Sequence, residues 1–150
     1  MTMSLLERLR AYWGRALIIG LANAVLLSAI MVPVIRSGIS PLPQAPSHSF
    51  AEAVLGQSVP LPIGLLFHVV YVTFWSMAFV VVAYPRFTLA RALGLGLVLW
   101  VGALAVFFPI NGWGFLGLSV GPQLIGVALV PHLLFSAFLY GLSRLAFGRR

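Results

Sequence analysis

Residues 91–144 read RALGLGLVLWVGALAVFFPINGWGFLGLSVGPQLIGVALVPHLLFSAFLYGLSR. Not one charge separates Arg91 from Arg144. A helix needs about 20 apolar residues to cross a bilayer, so this stretch is too long for one span. The break is written in turn residues. Pro109-Ile110-Asn111-Gly112-Trp113-Gly114 interrupts the apolar run, and Gly121-Pro122 restarts a helix. Two membrane helices are expected here, over about residues 89–108 and 123–145.

Working outward, two more spans precede them. Residues 16–35 carry no charge and are closed by Arg15 and Arg36. This run exceeds the roughly 7–15 apolar residues of a secretory signal core. A further span is expected over 61–84, entered through Pro60 and Pro62 and ended by Pro85-Arg86. Proline is tolerated in a first helical turn because the amides there lack partners anyway. Between them, SGISPLPQAP (37–46) is a proline-stiffened loop. Ser49 and Glu52 then suggest a capping box ahead of Phe50, Ala53 and Val54, with Gly56 as a stop. A short surface helix is expected there.

Composition supports the same class. The chain has 150 residues, 61% of them hydrophobic and 7% charged, with a mean hydropathy of +1.08. An ordinary soluble domain carries roughly 25% charged residues. In lipid every backbone polar group must be satisfied internally, which leaves helices or closed barrels. Barrel strands alternate polar and apolar residues, and the long unbroken apolar runs exclude them. There is no cysteine, hence no disulfide or thiolate metal site. The net charge of +7 is carried by arginine without lysine. These arginines gather at span ends, which points to membrane anchoring and not to nucleic acid.

Their placement also orients the chain. Arg8, Arg10, Arg15, Arg86, Arg91, Arg144, Arg149 and Arg150 fall on one side, and Arg36 alone on the other. The positive-inside rule puts both termini and the 85–90 turn in the cytoplasm. Trp13, Tyr84, Trp113 and Phe115 fall where interfacial aromatics are expected.

The odd spans resemble one another. RALIIGLANAVLLSAIMVPV (15–34) and RALGLGLVLWVGALAVFFPI (91–110) share Arg15/Arg91, Ala16/Ala92, Leu17/Leu93, Gly20/Gly96, Leu21/Leu97, Val25/Val101, Ala29/Ala105 and Pro33/Pro109. Matches of Leu, Val and Ala arise readily between apolar segments. The shared Arg, Gly and Pro at fixed offsets weigh more. The even spans match weakly, around His68 and His132. The expected fold is therefore an all-α membrane protein of four transmembrane helices in a single domain, 1–150. It is built as two tandem hairpins in a parallel pseudo-repeat, with the short surface helix in the first outer loop.

Few side chains offer chemistry. His68 and His132 both fall in the outer part of the bilayer and would face each other if the repeat holds. An ionisable group at such depth usually faces a bundle interior or a wet cavity. Three readings stay open: interhelical hydrogen bonding, a polar or small-solute site with Tyr71 and Ser136, and haem or metal ligation by the two imidazoles. No CxxCH, HExxH or carboxylate partner supports the last, so no metal or other cofactor is expected. The spans contain no Asp or Glu, against an ordinary ion-coupled transporter. Ala16, Gly20, Ala24 and Ser28 form a small-residue stripe that admits a close helix, within the bundle or from another chain. Arg36 is expected to snorkel to the interface, with pairing to Glu52 or a lipid phosphate as alternatives. His48 is expected in an exposed loop without a partner.

The loop SPLPQAPSHSF, the helix containing FHVVYVTFWSMAFVVVAYP, the third helix ending FFP and the last containing PHLLFSAFLYGLSR resemble the YagU-type bacterial inner-membrane proteins. The matching positions are His68, Pro109 and His132. This chain differs in having a shorter outer loop and no histidine near Pro109. The resemblance implies location and topology and no reaction. The expected role is thus a non-enzymatic structural or accessory protein of a bacterial inner membrane, associating through the small-residue stripe. Its partners would be lipid and either its own copy or another membrane protein, without nucleic acid. A small channel or transporter using His68 and His132, and a haem- or metal-binding electron carrier, are the alternatives.

Overall fold

The computed structural model describes residues 3–148. The arginines at 149 and 150, counted above for orientation, lie outside them. The fold is all-α, with four helices long and apolar enough to cross a membrane: α1 (Leu5–Arg36), α3 (Leu61–Ala83), α4 (Leu89–Ile110) and α5 (Gln123–Phe147). The short α2 (Pro46–Leu55) lies between the first two. The chain is a multi-pass membrane protein.

Helix α1 begins well before its charge-free run, and the cause is local. Ser4 accepts from the Glu7 amide, while the Glu7 carboxylate takes the Ser4 backbone N–H at 2.7 Å. This capping box satisfies two orphan donors at once. It also holds the Glu7 carboxyl below its ordinary range, chiefly through the Ser4 backbone bond. Pro33 near the far end does not break the helix, which runs on to Arg36.

The capping box expected at Ser49 and Glu52 is not formed. Helix α2 starts four residues earlier, with Ala45 as N-cap and no side-chain cap bond. Pro46 at the first position has no N–H to satisfy and a φ already suited to a helix, so a cap is dispensable. Ser49 is instead buried inside α2. Gly56 ends the helix as expected, at φ 67 in the left-handed region.

Helix α4 contains a π turn at Ala103–Phe107, in which the Phe108 N–H reaches back to the Ala103 carbonyl. Pro109 follows directly. Its ring would crowd the carbonyl four residues back, and it has no N–H to donate. One wide turn relieves both conflicts.

The helices alternate in direction. Arg8 near the start of α1 donates to the Val81 and Val82 carbonyls at the end of α3. Arg91 at the start of α4 donates to the Ala83 and Arg86 carbonyls, bracing the α3–α4 turn. At the other end, Asn111 donates to the Pro46 carbonyl. One end of the bundle therefore gathers the starts of α1 and α4 with the ends of α3 and α5.

Each sequential pair packs as a hairpin. Helix α1 lies along α3, and α4 along α5. Both contacts run over the glycines that the two odd spans share. A β-carbon on Gly20 would meet the Thr73 backbone, and one on Gly96 would meet Ser136 and the His132 carbonyl. The even-helix residues met lie five and four positions after their histidines. The hairpins are joined unequally, however. Helix α1 also packs on α5, whereas α3 and α4 scarcely touch beyond their turn.

This arrangement changes the reading of the small-residue stripe. Ala16, Gly20 and Ala24 are buried, with Gly20 against Thr73 inside the same chain. They offer no surface to a partner. Trp113, expected at the lipid interface, is also internal. It is 6% exposed and packs edge-on against Phe108, with ring centres 5.0 Å apart. Trp13 and Phe115 are exposed.

Candidate functional site: a cavity between the hairpins

Because α3 and α4 diverge, the bundle encloses a cavity of about 650 Å³ at the end away from the arginine-rich turns. Its wall comes from the second half of α1, from α2, the first half of α3, the π turn of α4 and the middle of α5. His68, Tyr71 and His132 all line it, and Ser28 of the stripe does too. Ser136 does not. It is fully buried under Gly96 and donates to the His132 carbonyl of its own helix at 2.8 Å. Three of the four polar residues expected to converge are therefore brought together.

The two histidines are held differently. His132 Nδ1 lies 2.6 Å from the Ala128 carbonyl, one turn earlier on α5. A carbonyl only accepts, so Nδ1 carries the hydrogen and Nε2 keeps its lone pair. Pro131 precedes it and also lines the cavity. His68, on α3, lies near the Ala24 carbonyl of α1. Its Nε2 is buried and has no hydrogen-bond partner. His68 thus faces a neighbouring helix, whereas His132 bonds to its own.

The stronger interhelical tie is Asn23. It is fully buried and its amide donates to Ser76 on α3 and to the Phe135 carbonyl on α5, both at 3.3 Å. It therefore pins three helices just below the cavity.

Aromatic rings bridge the gap between α3 and α4. Phe107 sits 4.8 Å from Phe50 of α2 and 5.4 Å from Tyr71 of α3, centre to centre. Leu66, Val70 and Phe74 belong to the wall and are also exposed on the outer surface of α3. The cavity consequently opens sideways, toward lipid. Neither Phe50 nor Phe107 was singled out by the sequence as a site residue. Their apolar character is shared by most of the chain and carries no distinguishing signal.

Helix α2 roofs the cavity and is tied down by its own loop. Glu52 accepts from Gln44 at 2.9 Å, from Ser58 at 3.1 Å and from the Val59 amide at 3.3 Å. These bonds, Gln44 first, hold its carboxyl below the ordinary carboxylate range, with burial opposing. Glu52 is thus engaged by its own loop and not by Arg36, which is exposed. His48 is not a loop residue without a partner. It lies in α2, with Nε2 at 2.7 Å from the Val59 carbonyl and 3.7 Å from Glu52. Gly64 allows this approach, since a β-carbon there would collide with His48.

Among the described residues, no group of three or more His, Asp or Glu side chains is placed to hold a metal ion. No protein-family model, curated protein or solved structure matches the chain.

Proposed function

We propose that this chain is a non-enzymatic, multi-pass protein of a bacterial inner membrane that holds a small bilayer-soluble molecule in the histidine cavity. The observation that carries this reading is the pairing of an almost wholly apolar wall with His132, whose Nε2 lone pair is unengaged. Pockets that bind small molecules combine such walls with a few placed polar groups. The sideways opening gives a lipid-dissolved molecule a route in. The apolar wall and the absence of a carboxylate in the spans speak against an ion path. An accessory role remains compatible with ligand binding, although the stripe expected to mediate it is consumed inside the chain. The positive-inside rule supports placing the arginine-rich end in the cytoplasm.

The test is purification in mild detergent, followed by organic extraction and mass spectrometry. One apolar compound should be retained by the native chain and lost from His132→Phe. An empty native preparation that also fails to bind apolar fluorescent probes would refute the reading. A second reading, haem or metal ligation by His68 and His132, is favoured by one observation. Metal-bound histidines commonly anchor their other ring nitrogen on a backbone carbonyl, as His132 does here. A Soret band or stoichiometric metal in the same preparation would select it.

A further inference from the structure

The arginine-rich end contains a second, smaller pocket of about 170 Å³, lined by Tyr12, Arg15, Tyr84, Pro85 and Phe147. Its character is the reverse of the histidine cavity, being polar and basic. We propose that it binds the phosphate of an anionic phospholipid headgroup, with Arg15 as the principal ligand.

The argument begins with the two arginines that the odd spans share. Arg91 spends its guanidinium on the protein itself, donating to the Ala83 carbonyl at 3.3 Å and the Arg86 carbonyl at 3.0 Å. Arg8 is similarly spent on the Met3, Val81 and Val82 carbonyls. Arg15 occupies the position equivalent to Arg91 but, among the described residues, makes no hydrogen bond or ion pair. Its guanidinium lies over the Phe147 ring, 5.5 Å from the centre. That contact fixes the plane of the group while leaving its fork of N–H donors unfilled.

A second donor is present. The Tyr84 hydroxyl accepts from Tyr12 at 2.8 Å and retains its own O–H to give. Tyr84 is itself held by ring packing against Tyr12, Phe87 and Phe147. A planar cationic fork and a fixed hydroxyl on one small pocket suit a compact oxyanion. Among the described residues, the one side-chain carboxylate of this end, Glu7, is closed into its capping box two turns before Arg15.

The source of the phosphate follows from depth. Arg15 immediately precedes Ala16, where the charge-free run of α1 begins. The pocket therefore sits at the boundary between hydrocarbon and water, the level of lipid phosphates. Its volume admits a phosphate-sized group, leaving acyl chains to lie along the bundle outside.

The experiment is native mass spectrometry of the full chain in gentle detergent, offered phosphatidylglycerol and phosphatidylcholine. The native chain should retain one phosphatidylglycerol in preference to phosphatidylcholine. Arg15→Gln should weaken that retention about tenfold or more, the scale of a lost charge-assisted hydrogen bond. Arg15→Lys should fall between, because it keeps the charge and loses the fork. Arg10→Gln, at an exposed arginine of the same helix, should retain the lipid. Equal loss in Arg10→Gln, or no headgroup preference in the native chain, would overturn the proposal. Displacement of the lipid by inorganic phosphate would overturn it in favour of a soluble anion. None of these outcomes depends on the occupant of the histidine cavity.

Discussion

Gly20 and Thr73 stand so close that a β-carbon on the glycine would come within 2.7 Å of the Thr73 Cα. The contact sets the spacing of the first hairpin, as Gly96 against Ser136 and the His132 carbonyl does for the second. At Gly20 it is the Thr73 backbone that leaves a side chain no room, and at Gly96 the Ser136 hydroxyl together with the His132 carbonyl. Gly20→Val should therefore destabilise the bundle by about 1–3 kcal/mol or more, the usual cost of overpacking. Gly94→Ala, where open space surrounds the β-carbon, should be neutral or stabilising by up to about 1 kcal/mol from helix propensity. Thermal melts in detergent of the two variants give the comparison.

Asn23→Leu removes two donors' worth of bonding from the junction of α1, α3 and α5. The Ser76 hydroxyl and the Phe135 carbonyl lose a partner in a region without water. A cost of about 1–3 kcal/mol is expected, read from unfolding in a mixed-micelle titration. Asn23→Leu with Ser76→Ala should recover part of it, because the hydroxyl left without a partner is then gone. Full additivity of the two changes would contradict the tie.

Glu52 makes the roof of the cavity sensitive to acid. Its carboxyl is held below the ordinary range in the folded state. The stabilisation is then complete above the ordinary carboxylate pKa and is lost as pH falls through the lowered one. The protection of amides in residues 46–59, taken relative to their intrinsic exchange at each pH, should thus fall as pH drops from neutral into the acid range. Glu52→Gln should be less protected already at neutral pH and lose little more in acid. An unchanged acid response in Glu52→Gln would assign the effect elsewhere.

Trp113→Ala tests whether the ring is core. Loss of a buried aromatic of this size costs about 3–5 kcal/mol. An interfacial tryptophan in contact with lipid would lose far less. The melt of this variant should fall well below that of Trp13→Ala, whose ring is 57% exposed.

The spans were legible because length and charge decide them. Arg15, Arg36, Arg91, Arg144 and the Pro109–Gly114 turn divide the chain without reference to its packing. The faces of the spans were not legible. In water, a helix marks its inner side by apolar residues, but here both lipid-facing Val25 and buried Leu27 are apolar. The usable signal was the reverse one. Asn23, Thr73, Ser76, Ser136 and Ser143, small polar residues within the spans, are all buried. Read that way, the sequence would have placed Ser136 in the packing and not in the site. The Ser4–Glu7 box was also visible as a serine followed three residues later by glutamate. The unequal joining of the hairpins, and hence the cavity, had no such mark, since it depends on contacts between α1 and α5 far apart in the chain.

The π turn at Ala103–Phe107 gives α4 one residue more than a regular helix would use over the same path. Such a turn works as an adjustable joint in the numbering. Phe107 faces the cavity and Phe108 is fully buried. Removing one lipid-facing residue, such as Val106, would let the turn close into ordinary α geometry while shifting which ring points where. Length variation at this place would thus re-aim the cavity wall and leave the membrane span intact, so the lining of this pocket can drift without the protein ceasing to fold.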